Sequence, residues 1–258
     1  MSHSLIGDTI KAWRNLETTG STNADALAWA ADGAPDMALI SAEHQSAGKG
    51  RGDRKWVTNP GSGLAFSLIV RPTTKEYQHI KRFTALASIA LVRVLKRNYG
   101  ITAQVKWPND VLIHGKKVAG ILVEVNWEGE KPTVVVIGVG VNVTSASLPP
   151  GEVLNFPATC IEAEVNSQVD RTLLLGSIIN EISRLRRHMT APKLIKTWNR
   201  CLAYKNTKVR LHPFSGPNEL VTILGVSDDG CLQARNANDE IRMINAGELE
   251  ISYNENVY

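Results

Sequence analysis

The chain has 258 residues, 43% hydrophobic and 21% charged, enough apolar side chain for a substantial core in one domain or two and too little charge for wholesale disorder. Its net charge of +4 suits an acidic ligand or an acidic partner protein; no nucleic-acid reading module is legible, and outside one loop the basic residues read as scattered. Cys160, Cys201 and Cys231 have neither disulfide-framework nor zinc-ligand spacing, the start M-S-H-S-L-I-G-D lacks signal-peptide character, and no apolar run could span a bilayer, so a cytoplasmic chain without membrane contact is expected.

A short strand is expected over Ile10–Leu16. Ser21, Thr22 and Asn23 then open an alanine-rich helix to about Ala31, ended by Gly33 and Pro35. Standing alone, these three residues read first as a plain helix cap, although a helix N-terminus with spare hydroxyls is also a polar-ligand site. Apolar runs at Met37–Ala42 and Gly63–Val70 read as strands flanking the loop E-H-Q-S-A-G-K-G-R-G-D-R-K-W, Glu43 to Trp56. Its Gly48, Gly50 and Gly52 let backbone approach a ligand, and Arg51 and Arg54 can fork onto phosphate or carboxylate oxygens. The loop is neither a Walker A sequence nor a dinucleotide fingerprint. A solvated basic loop is the bland alternative; Trp56, a stacking surface beside arginines, favours a nucleotide.

Helical periodicity runs over Thr74–Tyr99, with Gly100 as C-cap and no assigned chemistry. From Gln104 to Val143 the pattern is an antiparallel meander with turns at Gly115 and at Trp127–Pro132. Gly120, Gly138 and Gly140 fall inside strand patterns, where glycine marks a bulge or a close approach. Alternation puts Lys117 on the face of Ala119, Ile121 and Val123, where a lysine either snorkels or meets an anion. Asn109-Asp110 after Trp107-Pro108 reads first as turn chemistry. A proline-rich connection (Leu148–Pro157) precedes helices over Asp170–Met189, with Leu173, Leu174, Ile178, Ile182 and Leu185 inward, and Pro192–Tyr204. Beyond Lys205, short β-rich runs with turns at Ser215-Gly216-Pro217 and Asp228-Asp229-Gly230 suggest a small barrel, giving domains 1–204 and 205–258.

Five motifs in order, S-T-N (Ser21–Asn23), Q-x-x-G-x-G-R-x-x-R-x-W (Gln45–Trp56), K-W-P-N-D (Lys106–Asp110), K-x-A-G-I-L-x-E (Lys117–Glu124) and G-x-G-x-N (Gly138–Asn142), resemble those of the biotin protein ligases. The resemblance implies an α+β fold: a mixed, mostly antiparallel sheet packed with helices, like a class II synthetase, followed by an SH3-like barrel. It also implies the monofunctional type, without the N-terminal DNA-binding domain or a DNA partner, as monomer or homodimer. Such enzymes join biotin and ATP, with Mg2+, into biotinyl-5′-adenylate. They then pass biotin to one lysine of a biotin carboxyl carrier domain of a carboxylase.

By the same resemblance, Arg51 and Arg54 close over the adenylate, and Lys117 meets the biotin carboxyl and the α-phosphate. Ser21, Thr22, Asn23 and Gln45 bind the biotin head group, with Lys49 and Gly50 beside it, and Gly120, Gly138 and Gly140 leave room for the rings. Trp56 lies near adenine, and Asn109 and Asn142 belong to the ATP site. Asp110 handles phosphate, ribose or magnesium, or helps deprotonate the incoming lysine. Lys49 stands where many members have arginine, and Gly52-Asp53 replace a more basic centre, so a loop mobile without ligand is expected. The alternatives are a lipoate or octanoate ligase, whose octanoyl-transferring form needs a thiol in a motif region, and a non-catalytic sensor, which would lose Arg51, Arg54 or Lys117.

Overall fold

The apolar runs of the first half assemble into a seven-stranded sheet in the computed structural model, which describes residues 9–57, 59–149, 156–213 and 216–250. Its strands are β1 (Ala12–Thr19), β2 (Ala38–Gln45), β3 (Gly63–Val70), β4 (Ala103–Lys106), β5 (Asp110–Ile113), β6 (Lys116–Glu128) and β7 (Lys131–Asn142). They lie in the order β1-β2-β3-β7-β6-β5-β4. Only β1 and β2 run parallel, because α1 (Thr22–Ala31) carries the chain back along the sheet between them. The sheet is therefore mixed and mostly antiparallel, as expected. The polar turn predicted at Trp127–Pro132 is tighter: Trp127 and Pro132 are themselves paired, beside a bulge at Thr133 of β7.

On one face lies α2 (Arg82–Tyr99), whose buried side chains include Phe83, Leu86, Ile89 and Leu91. Gly100, at φ 72°, ends it as predicted. The helix begins at Arg82 rather than Thr74, because Glu76 Oε2 accepts from Thr73 N at 2.7 Å and fixes a turn ahead of a short 3-10 segment, Tyr77–His79. Then come α3 (Ile161–Val165), which the sequence had not suggested, α4 (Arg171–Arg186) and α5 (Pro192–Cys201). Asp170 caps α4, accepting from Thr172 N at 2.8 Å and Leu173 N at 3.0 Å. Leu173 itself is 46% exposed and not part of the inward face; Leu175 and Ile179 are buried instead.

The C-terminal strands β8 (Lys208–Pro213), β9 (Glu219–Val226), β10 (Leu232–Arg235), β11 (Ile241–Ile244) and β12 (Gly247–Glu250) form a five-stranded antiparallel sheet in the order β11-β10-β9-β8-β12. Among the described residues β11 and β12 remain edges, so the sheet does not close on itself. The predicted turn at Ser215 and much of the proline-rich connection lie outside the described residues. Trp107 Nε1 donates to Gly230 O at 3.1 Å, and Arg82 donates to Asp228 O and Met189 O, each at 2.9 Å. One apolar cluster takes in Val105, Trp107 and Trp198 together with Val209, Ile223 and Leu232 of the second sheet.

The contact between α2 and α4 hides a carboxylate. Glu181, its side chain 2% exposed, meets Arg93 at 3.2 Å, Arg97 at 3.4 Å and Arg184. Burial pushes this carboxyl up, but hydrogen bonds from Arg184 and Arg93, and their charges, more than reverse it and hold it below its usual range. Its stabilising contribution is thus full above the ordinary carboxylate pKa and is lost as pH falls through the lowered value. Glu181→Ala should cost roughly 1.5–3 kcal/mol in urea denaturation at neutral pH, with the difference from the parent chain shrinking in acid.

Candidate active site

Lys117 reaches the open face of the sheet through a bulge. In the β5–β6 pairing, Val111 faces Ala119 but Leu112 faces Lys117, so Val118 is an extra residue on β6. The extra residue reverses the alternation. Lys117 then shares its face with Gly120 and Leu122, in the wall of a cleft, while Ala119 and Ile121 join the core. The face predicted from strict alternation is therefore wrong at Lys117. The backbone clamps this position: Lys117 N donates to Pro157 O at 2.7 Å, and Lys117 O accepts from Thr159 N at 2.9 Å.

Asn142 belongs to that clamp. Its Nδ2 donates to Thr159 O at 3.1 Å and to Lys117 O at 3.4 Å, and the buried side chain is not among those lining the cleft. Expected at the nucleotide, it instead sits behind the lysine. The other predicted site residues are brought together in the cleft wall.

At one end, polar groups form a chain. Gln45 Oε1 accepts from Thr22 N at 2.8 Å and Thr22 Oγ1 at 3.1 Å. Ser67 Oγ lies 2.8 Å from Thr22 Oγ1 and donates to Asn23 Oδ1 at 2.6 Å. Asn23 Nδ2 donates to Glu124 Oε2 at 2.6 Å and to Leu122 O at 3.3 Å. Ser21 occupies the N-cap position of α1 without a side-chain cap bond, so the S-T-N run does not serve simply to cap the helix. Ser67 had not been singled out, and Glu124 had been quoted only as the end of a motif, without a role. Ser67, a lone hydroxyl in the buried run G-L-A-F-S-L-I-V, carried a legible signal.

At the other end are the charges. Lys117 Nζ lies 2.7 Å from Asp110 Oδ1 but off the line of a hydrogen bond, so charge holds the pair. Asn109 braces the same strand: its Nδ2 donates to Ile121 O, and its carbonyl accepts from Ile121 N, both at 2.9 Å. Burial lowers the Lys106 ammonium below the usual lysine range; Asp110 opposes this, and Lys117 and Arg54 reinforce it. Burial likewise lowers Arg51, against Asp110 and with Arg54. Lys106, quoted in a motif but given no role, thus joins the electrostatics of the site.

The glycine loop folds on itself. Gly50 N donates to Arg54 O at 2.7 Å and Trp56 N to Gly48 O at 2.9 Å, with Lys49 paired to Lys55 across the turn. The second sheet touches its tip: Arg51 Nη1 donates to Gly247 O at 3.4 Å, and Arg54 is ion-paired with Glu248. The Trp56 ring lies on the sheet, 5.7 Å from Lys117 Nζ. A methyl group at Gly140 would stand 2.2 Å from the Trp56 ring, and one at Gly138 would stand 2.1 Å from Asn23 Oδ1. The space at these two glycines is thus filled by the protein's own side chains. Gly140→Ala should push Trp56 off the sheet, read as faster hydrogen exchange over residues 48–56 with the global urea midpoint little changed; unchanged exchange would show that the ring does not depend on Gly140.

The sequence profile of the biotin/lipoate A/B protein ligase family matches residues 16–142. The bifunctional ligase/repressor BirA of Bacillus subtilis is 32% identical over 240 residues, covering 91% of this chain and 72% of that protein. The biotin–[acetyl-CoA-carboxylase] ligase of Mycobacterium tuberculosis is 37% identical over 181 residues, 66% of this chain and 63% of that protein. Among solved structures, the biotin protein ligase of Aquifex aeolicus in complex with biotin and ATP superposes with a TM-score of 0.79 at 24% identity, covering 93% of this chain and 98% of that one. This last likeness bears on the fold.

Proposed function

The chain belongs to the biotin/lipoate A/B protein ligase family, and from that premise we propose that it is an ATP-dependent biotin protein ligase, forming biotinyl-5′-adenylate and passing biotin to a lysine of a biotin carboxyl carrier domain. The observation that carries the reading is the polarity of the cleft. Neutral donors and acceptors (Ser21, Thr22, Asn23, Gln45) gather at one end and cations (Arg51, Arg54, Lys117) at the other. The ureido ring of biotin, with one acceptor and two donors, suits the first. Its carboxylate and the ATP α-phosphate suit the second.

A carboxylate does not expel oxide, so it must first acquire a leaving group. One biotin carboxylate oxygen attacks the α-phosphorus and pyrophosphate departs. Carboxylate and phosphate repel each other, and Lys117, drawn off Asp110, offers a cation that touches both while Arg51 and Arg54 hold the phosphate oxygens. In the second step a neutral lysine amine attacks the acyl carbon and AMP leaves. Asp110, released from Lys117, is positioned to take the amine proton. Trp56, Lys49 and Gly50 close over the joined ligand, and Asn109 and Gly120 shape the wall beneath the nucleotide.

Magnesium is taken to enter on the ATP phosphates, as part of that substrate. Among the described residues no cluster of three or more Asp, Glu, His or Cys could hold a metal, and Asp110 is the one carboxylate lining the cleft. A single carboxylate plus phosphates is a common Mg2+ environment. We read the chain as cytoplasmic; no described helix is long and apolar enough to cross a membrane. Monomer or homodimer, without DNA, remains our reading of the assembly.

Biotin should trigger pyrophosphate release from ATP, and lipoate or octanoate should not. Preference for lipoate would reassign the Ser21–Gln45 end of the cleft, and no release with any acid would leave a sensor. Lys117→Ala should lower adenylate formation about 10²–10³-fold. Asp110→Asn should slow transfer to the carrier more than adenylation; equal losses in the two steps would remove it as the base.

A further inference from the structure

Glu124 stands half-buried on β6, two residues past Leu122 and on the same face, yet it is absent from the wall of the cleft. Among the described residues no Lys or Arg pairs with it. Its hydrogen bond is to a neutral amide, Asn23 Nδ2, at 2.6 Å. A bond to a charged acceptor is stronger than one between neutral groups.

This bond decides which way round the Asn23 amide lies. A carboxylate and a carbonyl only accept, so the end of the amide that meets Glu124, and Leu122 O at 3.3 Å, is the NH2. Oδ1 is thereby turned to Ser67, whose Oγ lies 2.6 Å away. The side chain is hemmed in: Asn23 is buried, and it lies so close over Gly138 that a methyl there would stand 2.1 Å from Oδ1.

Protons can be counted from this anchor. Three oxygen–oxygen contacts run in series: Asn23 Oδ1 to Ser67 Oγ at 2.6 Å, Ser67 Oγ to Thr22 Oγ1 at 2.8 Å, and Thr22 Oγ1 to Gln45 Oε1 at 3.1 Å. Gln45 is fixed too, because its Oε1 accepts from Thr22 N at 2.8 Å. Two hydroxyls supply two protons for these three contacts. Ser67 gives its proton to Asn23, and Thr22 can serve Ser67 or Gln45 but not both. One contact is left as two facing lone pairs, and the chain is one donor short. Reversing the Asn23 amide would repair this, with its NH2 donating to Ser67, Ser67 to Thr22 and Thr22 to Gln45. The chain would then be complete without a ligand. The Glu124 carboxylate opposes that reversal, and Leu122 O adds a longer, weaker bond.

We propose that Glu124 is a positioning residue for ligand recognition. By holding the Asn23 carbonyl toward Ser67, it keeps this end of the cleft one donor short and so receptive to a ring N–H. Thr22, Asn23 and Gln45 line the cleft, so its occupant can supply the missing donor. The proposal rests on the ligase reading above and refines it. The ureido ring of biotin brings two N–H donors, whereas a dithiolane or an alkyl chain brings none. Glu124 thus selects a ureido acid from behind the wall of the cleft.

Glu124→Ala and Glu124→Gln are compared with the parent chain in biotin-dependent pyrophosphate release. Glu124→Ala frees the amide to reverse. It should raise KM for biotin about tenfold, the effect of one hydrogen bond, while kcat and KM for ATP stay within about twofold. Gln can still accept from Asn23 through its amide oxygen, so Glu124→Gln should recover most of the parent KM. Biotin analogues with each ring N–H replaced in turn by oxygen read selectivity. The parent should discriminate against at least one of them about tenfold, and Glu124→Ala should discriminate less. In ligand-free protein, NMR of the Asn23 side-chain amide reads the orientation itself. Its protons should lie near Leu122 and Glu124 in the parent and near Ser67 in Glu124→Ala.

An unchanged KM for biotin in Glu124→Ala overturns the proposal, as does equal discrimination by parent and variant. So does a joint fall in kcat, ATP affinity and the urea midpoint, which would make Glu124 a residue of the fold alone. Asn23 amide protons found near Ser67 in the parent overturn it whatever the substrate. If the amide lies as stated but biotin triggers no pyrophosphate release in the parent, it is the ligase reading that has failed.

Discussion

Lys117 stands in the cleft only because β6 carries one residue more than β5 across Val111 and Leu112. Without that bulge its ammonium would turn toward the α2 side of the sheet, among Phe83 and Ile89, where an unpaired charge is prohibitively expensive. The bulge cannot relax, since Pro157 and Thr159 bond the Lys117 backbone from outside the sheet and Asn142 holds the Lys117 and Thr159 carbonyls from below. The place of Lys117 in the cleft wall follows from this forced exit.

The cleft then holds more positive charge than it can comfortably neutralise. Arg51, Arg54, Lys106 and Lys117 converge on Asp110, and the second sheet adds Glu248 at Arg54. Arg51 and Lys106 register the strain as lowered affinity for their protons, with burial the larger cause and neighbouring cations adding to it. A ligand bearing carboxylate and phosphate would oppose that repulsion. Local instability exchanged for function is the usual bargain at such places.

The fold was legible where period and punctuation agreed. Continuous apolar runs became β3 and β7, Gly100 ended α2, and Ser-Thr-Asn opened α1. The start of α2 was misplaced because Glu76 holds the Thr73 backbone, a bond that helical periodicity does not encode. The facing of Lys117 was misread because alternation assumes no bulge, and Asn142 because a motif gives order along the chain and not depth. Nor does spacing alone reveal that Gly138 and Gly140 make way for Asn23 and Trp56.

Trp107 opens the turn that presents Asn109 and Asp110, and its indole N–H is satisfied by a carbonyl of the second sheet, Gly230. That carbonyl sits in a turn packed against Lys81 and Trp198 and flanked by the Arg82 bond to Asp228. The floor of the cleft is therefore braced by a loop that is absent from the cleft's lining and follows it by more than a hundred residues. A substitution near Gly230 would be felt at Asp110 as a change of angle. In this chain, distance along the sequence is no guide to what shapes the cleft.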